Sequence, residues 1–329
     1  MTYKYRGTTD AVATSTVWVA VGDSGHIATS NTLTSGSAWT TYVAPAGASV
    51  EKRSVAYGAD PNSTNVFFVG HNFDQSNELM SSSAPLNGVD SWSVVDPGGI
   101  QGVYGIAYSN YGGTSWIGVG NSGETVRLSS GSWSNTDIGT DNIWSIATDG
   151  SGNWVVATST SNRRFEYWKS ENDGVTWASS FNEGWVSNAA NYRKHVAYGN
   201  GVWVASNRDR IHSATSANLQ SNSWTLRLDA TDHINDIQYG TDSKWMAIGH
   251  SRDVYISTDN GTNWTQATDI PGTDEPTGLA YYAGSWVVVT DGTVNNVVVS
   301  TDHGSSWTTI ASTGGSLNEI AVNSVLPNS

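Results

Sequence analysis

The residues with the clearest chemical potential are arginines that cluster in the second half of the chain. Most of the 15 Lys and Arg residues lie between Arg163 and Arg252, and none follows Asp253. Planar guanidinium groups bind carboxylate, sulfate or phosphate groups through paired hydrogen bonds. We therefore predict a sector that binds an anionic group on a glycan or a partner protein. Its candidate residues are Arg163, Arg164, Arg193, Arg208, Arg210 and Arg252.

A second interpretation of this basic sector is solvated surface charge. Acids lie close to the arginines in sequence, namely Asp209, Asp253, Glu166 and Glu171. Exposed pairs of this kind contribute little to stability or recognition. Both interpretations agree with the sequence.

Aromatic residues outside the repeated positions form a second candidate set. They are Trp144, Trp168, Trp185, Tyr104, Tyr192 and Tyr282. An exposed indole can stack on a sugar ring or anchor a protein interface. Trp185 is the strongest of them, because it falls in the long linking segment Phe181–His195. The alternative for each is burial against a neighbouring repeat.

Enzymatic and metal chemistry have weaker signals. Glu166, Glu171, Glu183 and Asp209 lie near the basic sector, but their spacing assigns no pair of carboxylates to acid and base roles. The histidines have no second ligand at a typical metal-binding spacing, and the chain has no Cys. The acidic span 269–275 lacks the alternating carboxylates of a calcium loop. We predict no catalytic residue, no metal and no cofactor.

The elements that would position these residues follow a repeat. A small apolar strand, a short gap and a second strand that usually opens with an aromatic residue recur seven times, as in Ser145–Thr148 and Trp154–Ala157. A second tryptophan closes each unit, at Trp39, Trp92, Trp133, Trp177, Trp224, Trp264 and Trp307, with gaps of 40 to 53 residues. Such a period with four short strands per unit is typical of propeller blades. The sequence predicts one all-β domain over residues 1–329, a seven-bladed β-propeller with four-stranded antiparallel blades.

The two ends of the chain bear on how the ring closes. The segment Leu317–Val322 resembles an eighth innermost strand, and Thr2–Arg6 is an alternating strand with no repeat of its own. We expect a terminal strand to complete a blade begun at the other end of the chain. Which copy does so stays open, and an eight-unit ring with a hybrid last blade is the alternative.

Three of the closing turns share a motif. Ser257–Trp264 and Ser300–Trp307 match Ser-x-Asp-x-Gly-x-x-Trp in full, and Ser170–Trp177 has Asn at the acidic position. The motif residues are Asp259, Gly261, Trp264, Asp302, Gly304, Trp307, Asn172, Gly174 and Trp177. They resemble those of the Asp-box, or BNR-repeat, propellers, a group that includes sialidases, xyloglucan-cleaving hydrolases and Ycf48-like assembly factors. The resemblance implies that these turns are structural and lie on the face opposite the usual binding face.

The resemblance does not carry the catalytic set of a sialidase. Those enzymes use three arginines, a tyrosine nucleophile with a glutamate partner, and an aspartate acid/base. They also begin with a Phe/Tyr-Arg-Ile-Pro type strand, where this chain has Tyr5-Arg6-Gly7-Thr8. A glycoside hydrolase and a Ycf48-like assembly factor therefore remain alternatives.

Composition favours a binding or structural role. Only 13% of residues are charged and the formal net charge is -14, which argues against nucleic acid as a partner. No segment approaches the length of a membrane span, and no secretory signal is evident. Strands rich in Ser, Thr and Asn suggest a virion component, such as a phage fibre, knob or decoration protein, or an extracellular one. A cytoplasmic setting, a homo-oligomer and attachment to a larger particle are further expectations.

Overall fold

The alternation of apolar and polar residues produces strands throughout the chain, because each strand can bury one face against a neighbouring sheet. The computed structural model describes residues 16–36, 39–44, 50–60, 64–72, 79–112, 115–159, 164–185, 194–215, 219 and 223–323. These residues contain several 3-10 turns and no α-helix.

The strands follow one another in groups that match the repeats. The first half contains β1 (Trp18–Gly22), β2 (His26–Ser30), β3 (Thr40–Val43), β4 (Lys52–Ala59), β5 (Asn65–His71), β6 (Leu79–Ser82), β7 (Ser93–Val95), β8 (Val103–Ser109), β9 (Ser115–Gly120), β10 (Glu124–Ser129), β11 (Ser132–Asp137), β12 (Asn142–Thr148), β13 (Trp154–Ser159), β14 (Arg164–Ser170) and β15 (Ala178–Trp185). The second half contains β16 (Val196–Gly199), β17 (Val202–Asn207), β18 (Arg210–Thr215), β19 (Thr225–Asp229), β20 (Ile234–Tyr239), β21 (Trp245–Gly249), β22 (Val254–Ser257), β23 (Thr265–Gln266), β24 (Pro276–Tyr282), β25 (Ser285–Thr290), β26 (Val297–Ser300), β27 (Thr308–Ala311) and β28 (Leu317–Val322).

These strands form seven antiparallel sheets of four strands each. Blades 2 to 7 take their strands in chain order, from β4–β7 to β24–β27, with the first strand innermost. Blade 1 has the order β28-β1-β2-β3. The predicted seven-bladed β-propeller with four-stranded blades is therefore confirmed.

The ring closes through the C-terminal strand. β28 pairs antiparallel with β1, and Trp18 lies opposite Val322. The closure continues beyond the strands, because Asn323 accepts a hydrogen bond from Val17 N at 2.6 Å through its side chain. β28 thus occupies the innermost position of blade 1. The segments Thr2–Arg6 and Ala11–Thr14, which the sequence also suggested as strands, lie outside the described residues.

The core lies between adjacent blades and contains the tryptophans that open the second strands. Trp18, Trp116, Trp154, Trp203, Trp245 and Trp286 are all fully buried. Close packing requires glycine where an aromatic ring crosses from the next blade. A Cβ on Gly58 would lie 2.2 Å from Tyr108 Cγ, and one on Gly199 would lie 2.1 Å from Tyr239 Cγ.

The three Asp-type turns share one hydrogen-bond pattern at the ends of β14, β22 and β26. In blade 6, Gly261 N donates to Ser257 Oγ at 3.0 Å, and Asn263 N donates to Asp259 Oδ1 at 2.9 Å. Blades 4 and 7 repeat both bonds through Ser170 with Asn172 and Ser300 with Asp302. Two residues in a row adopt positive φ in each turn, for example Asn260 at 60° and Gly261 at 77°. The motif side chains therefore hold the hairpins together.

Acid is expected to weaken the fold through the Asp302 turn. Hydrogen bonds from the Ser306 hydroxyl and backbone N–H, together with the Ser300 hydroxyl, lower the pKa of Asp302 to about 2. Because the pKa is lower in the folded state than the usual value of about 3.9, the stabilisation is complete above that value and disappears as the pH falls towards 2. Urea unfolding followed by tryptophan fluorescence from about pH 5 to about pH 2 should show a smaller acid loss in Asp302→Asn than in the wild type. Identical pH profiles would contradict this prediction.

Candidate functional site

The innermost strands meet at the ring axis and form a cleft on the face opposite the Asp-type turns. The cleft is shallow, with a volume of about 40 Å³. Its lining includes Arg53, Ser54, Tyr104, Trp144, Ser145, His195 and Glu319. These residues come from β4, β8, β12, β28 and the residue before β16, hence from five blades. We refer to this feature as the axial cleft.

Two aromatic rings form a platform in the axial cleft. The rings of Tyr104 and Trp144 stack with centroids 5.2 Å apart and planes at 24°. The Arg53 guanidinium carbon lies 5.1 Å from the Tyr104 centroid and 5.7 Å from the Trp144 centroid, within cation–π range. Burial raises the pKa of Tyr104, against the opposing effect of the Arg53 charge, so its hydroxyl is neutral at pH 7. The platform offers an apolar surface beside one cation.

Arg53 is held in place by an ion pair at the rim. Its Nη2 lies 2.9 Å from Glu51 Oε2, and Asn72 Nδ2 donates to the same oxygen at 2.8 Å. The pair compensates the charge and fixes the guanidinium over the aromatic rings. The Arg53 Nε is buried and has no hydrogen-bond partner among the described residues.

His195 is oriented by a buried carboxylate. Its Nδ1 lies 3.1 Å from Asp236 Oδ1. The Asp236 carboxylate also accepts hydrogen bonds from Ile237 N at 2.7 Å and Leu279 N at 2.8 Å. In the neutral form of the imidazole, the contact with Asp236 places the proton on Nδ1 and leaves Nε2 as an acceptor. Within the described part of the chain, neither His195 Nε2 nor the buried Ser54 Oγ has a hydrogen-bond partner.

The structure describes only some residues of the predicted basic sector. Arg208 Nη1 lies 3.8 Å from Asp209, and Arg210 Nε lies 3.3 Å from Asp229. Arg252 lies in the turn after β21 and donates to Gly272 O at 2.5 Å. Each of the three therefore has a partner close to it in the fold. The acids beside Arg208 and Arg210 reduce the charge that those two residues offer to a ligand, and anion binding stays a prediction.

The other predicted ligand-binding residues have less structural detail. Arg163 and Arg193 lie outside the described residues. Arg164 and Trp185 lie opposite one another in the register of β14 and β15, and their side chains are outside the description. The structure therefore does not test whether these four residues act together.

Lys194 belongs to the same stretch of positive charge but is fully buried. Burial lowers its pKa to about 7, the positive charge of Arg208 acts in the same direction, and Asp209 opposes both. Lys194 therefore lies beneath the surface of the basic sector.

The sequence signal for the axial cleft was incomplete. Tyr104 and Trp144 stood out as aromatics outside the repeated positions, and the structure brings them together. Arg53, His195 and Glu319 were missed as site residues. Each lies at or just before the small apolar run of an innermost strand, so an alignment of the repeats at that position would have found them. The other candidate aromatics do not line the cleft. Trp168 donates a hydrogen bond to Glu166 at 3.1 Å, and Tyr282 packs edge-on against Trp18. Tyr192 lies outside the described residues.

Neither a metal cluster nor a membrane-spanning helix occurs among the described residues. These residues contain no group of three or more His, Asp or Glu side chains suited to a metal ion. No helix among them is long and apolar enough to cross a bilayer.

Comparison with known proteins supports the fold class. No protein-family model matches the chain, and no curated protein matches it. Among solved structures, 1312 chains match, so the architecture is too widespread to indicate a function. The computationally designed protein Ika8 superposes with a TM-score of 0.60 at 11% identity, over 94% of this chain and 88% of its own. Ycf48 bound to a D1 peptide superposes with a TM-score of 0.54 at 13% identity, over 78% of this chain and 80% of its own.

These likenesses define the class of protein. The chain is a seven-bladed β-propeller with a polar and aromatic cleft on its axis. At such low identities the neighbours show the fold alone, and membership of the Asp-box group stays a hypothesis that rests on the turn motif.

Proposed function

We propose that this protein is a non-enzymatic binding propeller that recognises a glycan or a protein partner through the face with the axial cleft. The supporting observation is the cleft itself, where the stacked rings of Tyr104 and Trp144 lie beside the Arg53 guanidinium. Aromatic and arginine side chains are the commonest energetic anchors of recognition surfaces. The cleft is therefore the best candidate for a recognition site.

The acidic residues of the cleft favour binding over glycoside hydrolysis. Canonical hydrolysis of this kind uses two carboxylates placed on opposite sides of the scissile bond. Glu319 is the one acid among the described lining residues, and its Oε1 accepts from Ile320 N at 2.9 Å. Asp236, behind His195, has both oxygens engaged by backbone N–H groups. Glu51 at the rim is paired with Arg53 at 2.9 Å, so the described residues show no evident pair of free carboxylates for this reaction.

Composition and fold are the basis for proposing where this protein acts. We propose a virion or extracellular surface component, on the basis of the uncharged Ser-, Thr- and Asn-rich strands and the absence of Cys. The structure of Ycf48 with a peptide illustrates that a propeller can hold a protein segment, which supports the protein-partner form of the proposal and keeps an assembly role as the alternative.

The proposal predicts that partner binding depends on Trp144. The wild type, Trp144→Ala and Trp307→Ala should be applied to an immobilised glycan array and a random-peptide array. Both tryptophans are half-buried, but Trp307 lies on the turn face and serves as the matched control. We expect Trp144→Ala to weaken binding about fivefold, because an aromatic contact contributes about 1 kcal/mol beyond its area, whereas Trp307→Ala should bind as the wild type does.

A further variant separates the cleft from the basic sector. Arg208→Ala/Arg210→Ala should leave cleft-dependent binding intact and should reduce binding only to anionic glycans. Absence of binding on both arrays, or binding that Trp144→Ala leaves unchanged, would contradict the proposed site.

A further inference from the structure

A groove separates the outer strands of blade 5 from the Asp-type turn of blade 6. Its volume is about 230 Å³. The lining includes the hydroxyls of Ser213, Thr225 and Thr262, the Asn260 amide and the Arg227 guanidinium. The described lining residues contain no acid and no aromatic ring. We refer to this feature as the blade 5–6 groove, and it lies away from the axial cleft, on the side of the closing turns.

A β-bulge directs Arg227 towards this groove. Ile211 lies opposite Leu228 and His212 lies opposite Leu226, so Arg227 is the additional residue of β19. Bulges turn a side chain out of the regular alternation of a strand. The Arg227 Nε donates to Ser213 Oγ at 2.8 Å, which holds the guanidinium at the groove.

Blades 4 and 7 have the same bulge after the closing tryptophan, but they bury its residue. The bulged residues there are Ser180 and Ile310, and both are buried. The next blade covers each of them with the leucine of a longer closing turn. Ser180 Oγ donates to Leu219 O at 3.0 Å, and Leu33 packs against the cluster that contains Ile310. Blade 6 has the shorter Asp-type turn instead, so the bulged Arg227 is left half-buried beside open space.

Arg227 has no carboxylate partner among the described residues. Within that part of the chain, Ser213 is its one hydrogen-bond partner. The acids on the flanking strand and turn are engaged elsewhere, since Asp229 lies 3.3 Å from Arg210 and Asp259 accepts hydrogen bonds within its own turn. The two terminal guanidinium nitrogens of Arg227 are therefore available to a ligand.

The equivalent boundary between blades 3 and 4 holds a carboxylate. There Arg127 Nη2 lies 2.5 Å from Asp173 Oδ2. Ser213 takes the position of Arg127, because each lies opposite the residue that follows the closing tryptophan. Asn260 takes the position of Asp173, as the fourth residue of its turn motif. The blade 5–6 groove therefore lacks the ion pair of the other boundary and has the charge of Arg227 in its place.

We propose that the blade 5–6 groove binds the carboxylate of an Asp or Glu side chain on a partner protein. A guanidinium forms paired hydrogen bonds with a carboxylate, and the neighbouring hydroxyls can donate others. A sugar acid fits less well, because the described lining residues offer no aromatic ring for stacking. The net charge of -14 disfavours a polyacidic segment, so the carboxylate belongs to an otherwise uncharged one.

The test is an NMR titration of the whole protein that follows the Arg227 Nε–H signal, which is identified by its absence in Arg227→Gln. The probes are the N-acetyl, N-methylamide derivatives of aspartate and asparagine, with methyl glucuronide and inorganic sulfate as comparators. We expect the aspartate derivative to shift the signal in a saturable way and the asparagine derivative to leave it unchanged. Methyl glucuronide and sulfate should bind more weakly than the aspartate derivative.

Two variants separate the role of Arg227 from folding and from general charge. Arg227→Gln keeps a donor for Ser213 and removes the charge, so it should unfold at the wild-type urea concentration. Followed through the backbone amide signals of Thr225 and Thr262, it should bind the aspartate derivative about tenfold more weakly, as expected when hydrogen bonds to a charged group are lost. Lys244→Ala removes one charge from an exposed side chain outside the groove and should bind as the wild type does.

Several results would overturn this assignment. One is the absence of a shift with the aspartate derivative, and another is equal weakening by Arg227→Gln and Lys244→Ala, which would indicate general attraction to positive charge. Tighter binding of methyl glucuronide would assign the groove to a sugar acid, and sulfate binding as tight as that of the aspartate derivative would indicate an adventitious ion only. The axial cleft is tested separately, because Trp144→Ala should leave this titration unchanged and Arg227→Gln should leave Trp144-dependent array binding unchanged.

Discussion

Removal of residues 317–329 is expected to leave the chain unable to form a stable ring. The deletion removes β28, whose Leu317, Ile320 and Val322 are buried. Burial of each such side chain stabilises the fold by about 1.5–3 kcal/mol. Their joint loss is comparable with the entire stability of a typical domain, about 5–15 kcal/mol. The deletion also uncovers one edge of β1, so we expect near-UV circular dichroism and native tryptophan fluorescence to be lost.

The closure prediction has a matched control and a rescue. A chain that ends at Asn323 keeps every described residue and should retain the wild-type spectra and unfolding midpoint. A synthetic peptide of residues 314–323, added to the chain that ends at Ser316, should restore the native fluorescence by supplying the missing strand. A chain ending at Ser316 that unfolds at the wild-type urea concentration would show that β28 is dispensable.

Asp173→Ala is expected to be the most destabilising single substitution among the turn residues. Asp173 follows Asn172 in the blade 4 turn, where its carboxylate accepts from Ser115 Oγ at 2.6 Å, Trp154 Nε1 at 3.0 Å and Arg127 Nη2 at 2.5 Å. The first and third donors belong to blade 3. The side chains of Asp173 and Arg127 are 11% and 21% exposed, so removal of the carboxylate leaves a mostly buried arginine side chain without its ion-pair partner. We expect a loss of about 3 kcal/mol in urea unfolding.

The cause of that loss can be isolated by two further variants. Asp173→Asn keeps an oxygen acceptor and a residue type that tolerates the positive φ of 59°, so it should lose about 1 kcal/mol. Arg127→Met in the Asp173→Ala background removes the unpaired charge and should recover part of the stability. A loss below about 0.5 kcal/mol in Asp173→Ala, as for an ordinary surface position, would contradict the role assigned to this carboxylate.

The contrast between Asp173 and its neighbour Asn172 shows how far the sequence could be interpreted. Asn172 was recognisable as a turn residue, because its spacing to Gly174 and Trp177 repeats in two other blades. The bridging role of Asp173 was not, since the equivalent residues are Asn260 and His303. Asn260 Oδ1 accepts from Trp245 Nε1 at 3.2 Å, and His303 packs against Trp286. The contact with the buried tryptophan recurs while its chemistry changes, which conceals it from a motif.

The sequence alone determined the blade count, the four-stranded units and the exchange between the two ends of the chain. These properties depend on the local alternation of apolar residues and on the tryptophan that each unit must bury. Both patterns can be recognised from the spacing of residues in the sequence. Tertiary structure alone decided that β28 is the closing strand, that Arg208 and Arg210 lie beside acids, and that Arg53, Tyr104, Trp144 and His195 share a cleft. The four cleft residues come from separate blades, so their proximity depends on how the blades pack around the axis and not on any spacing along the chain.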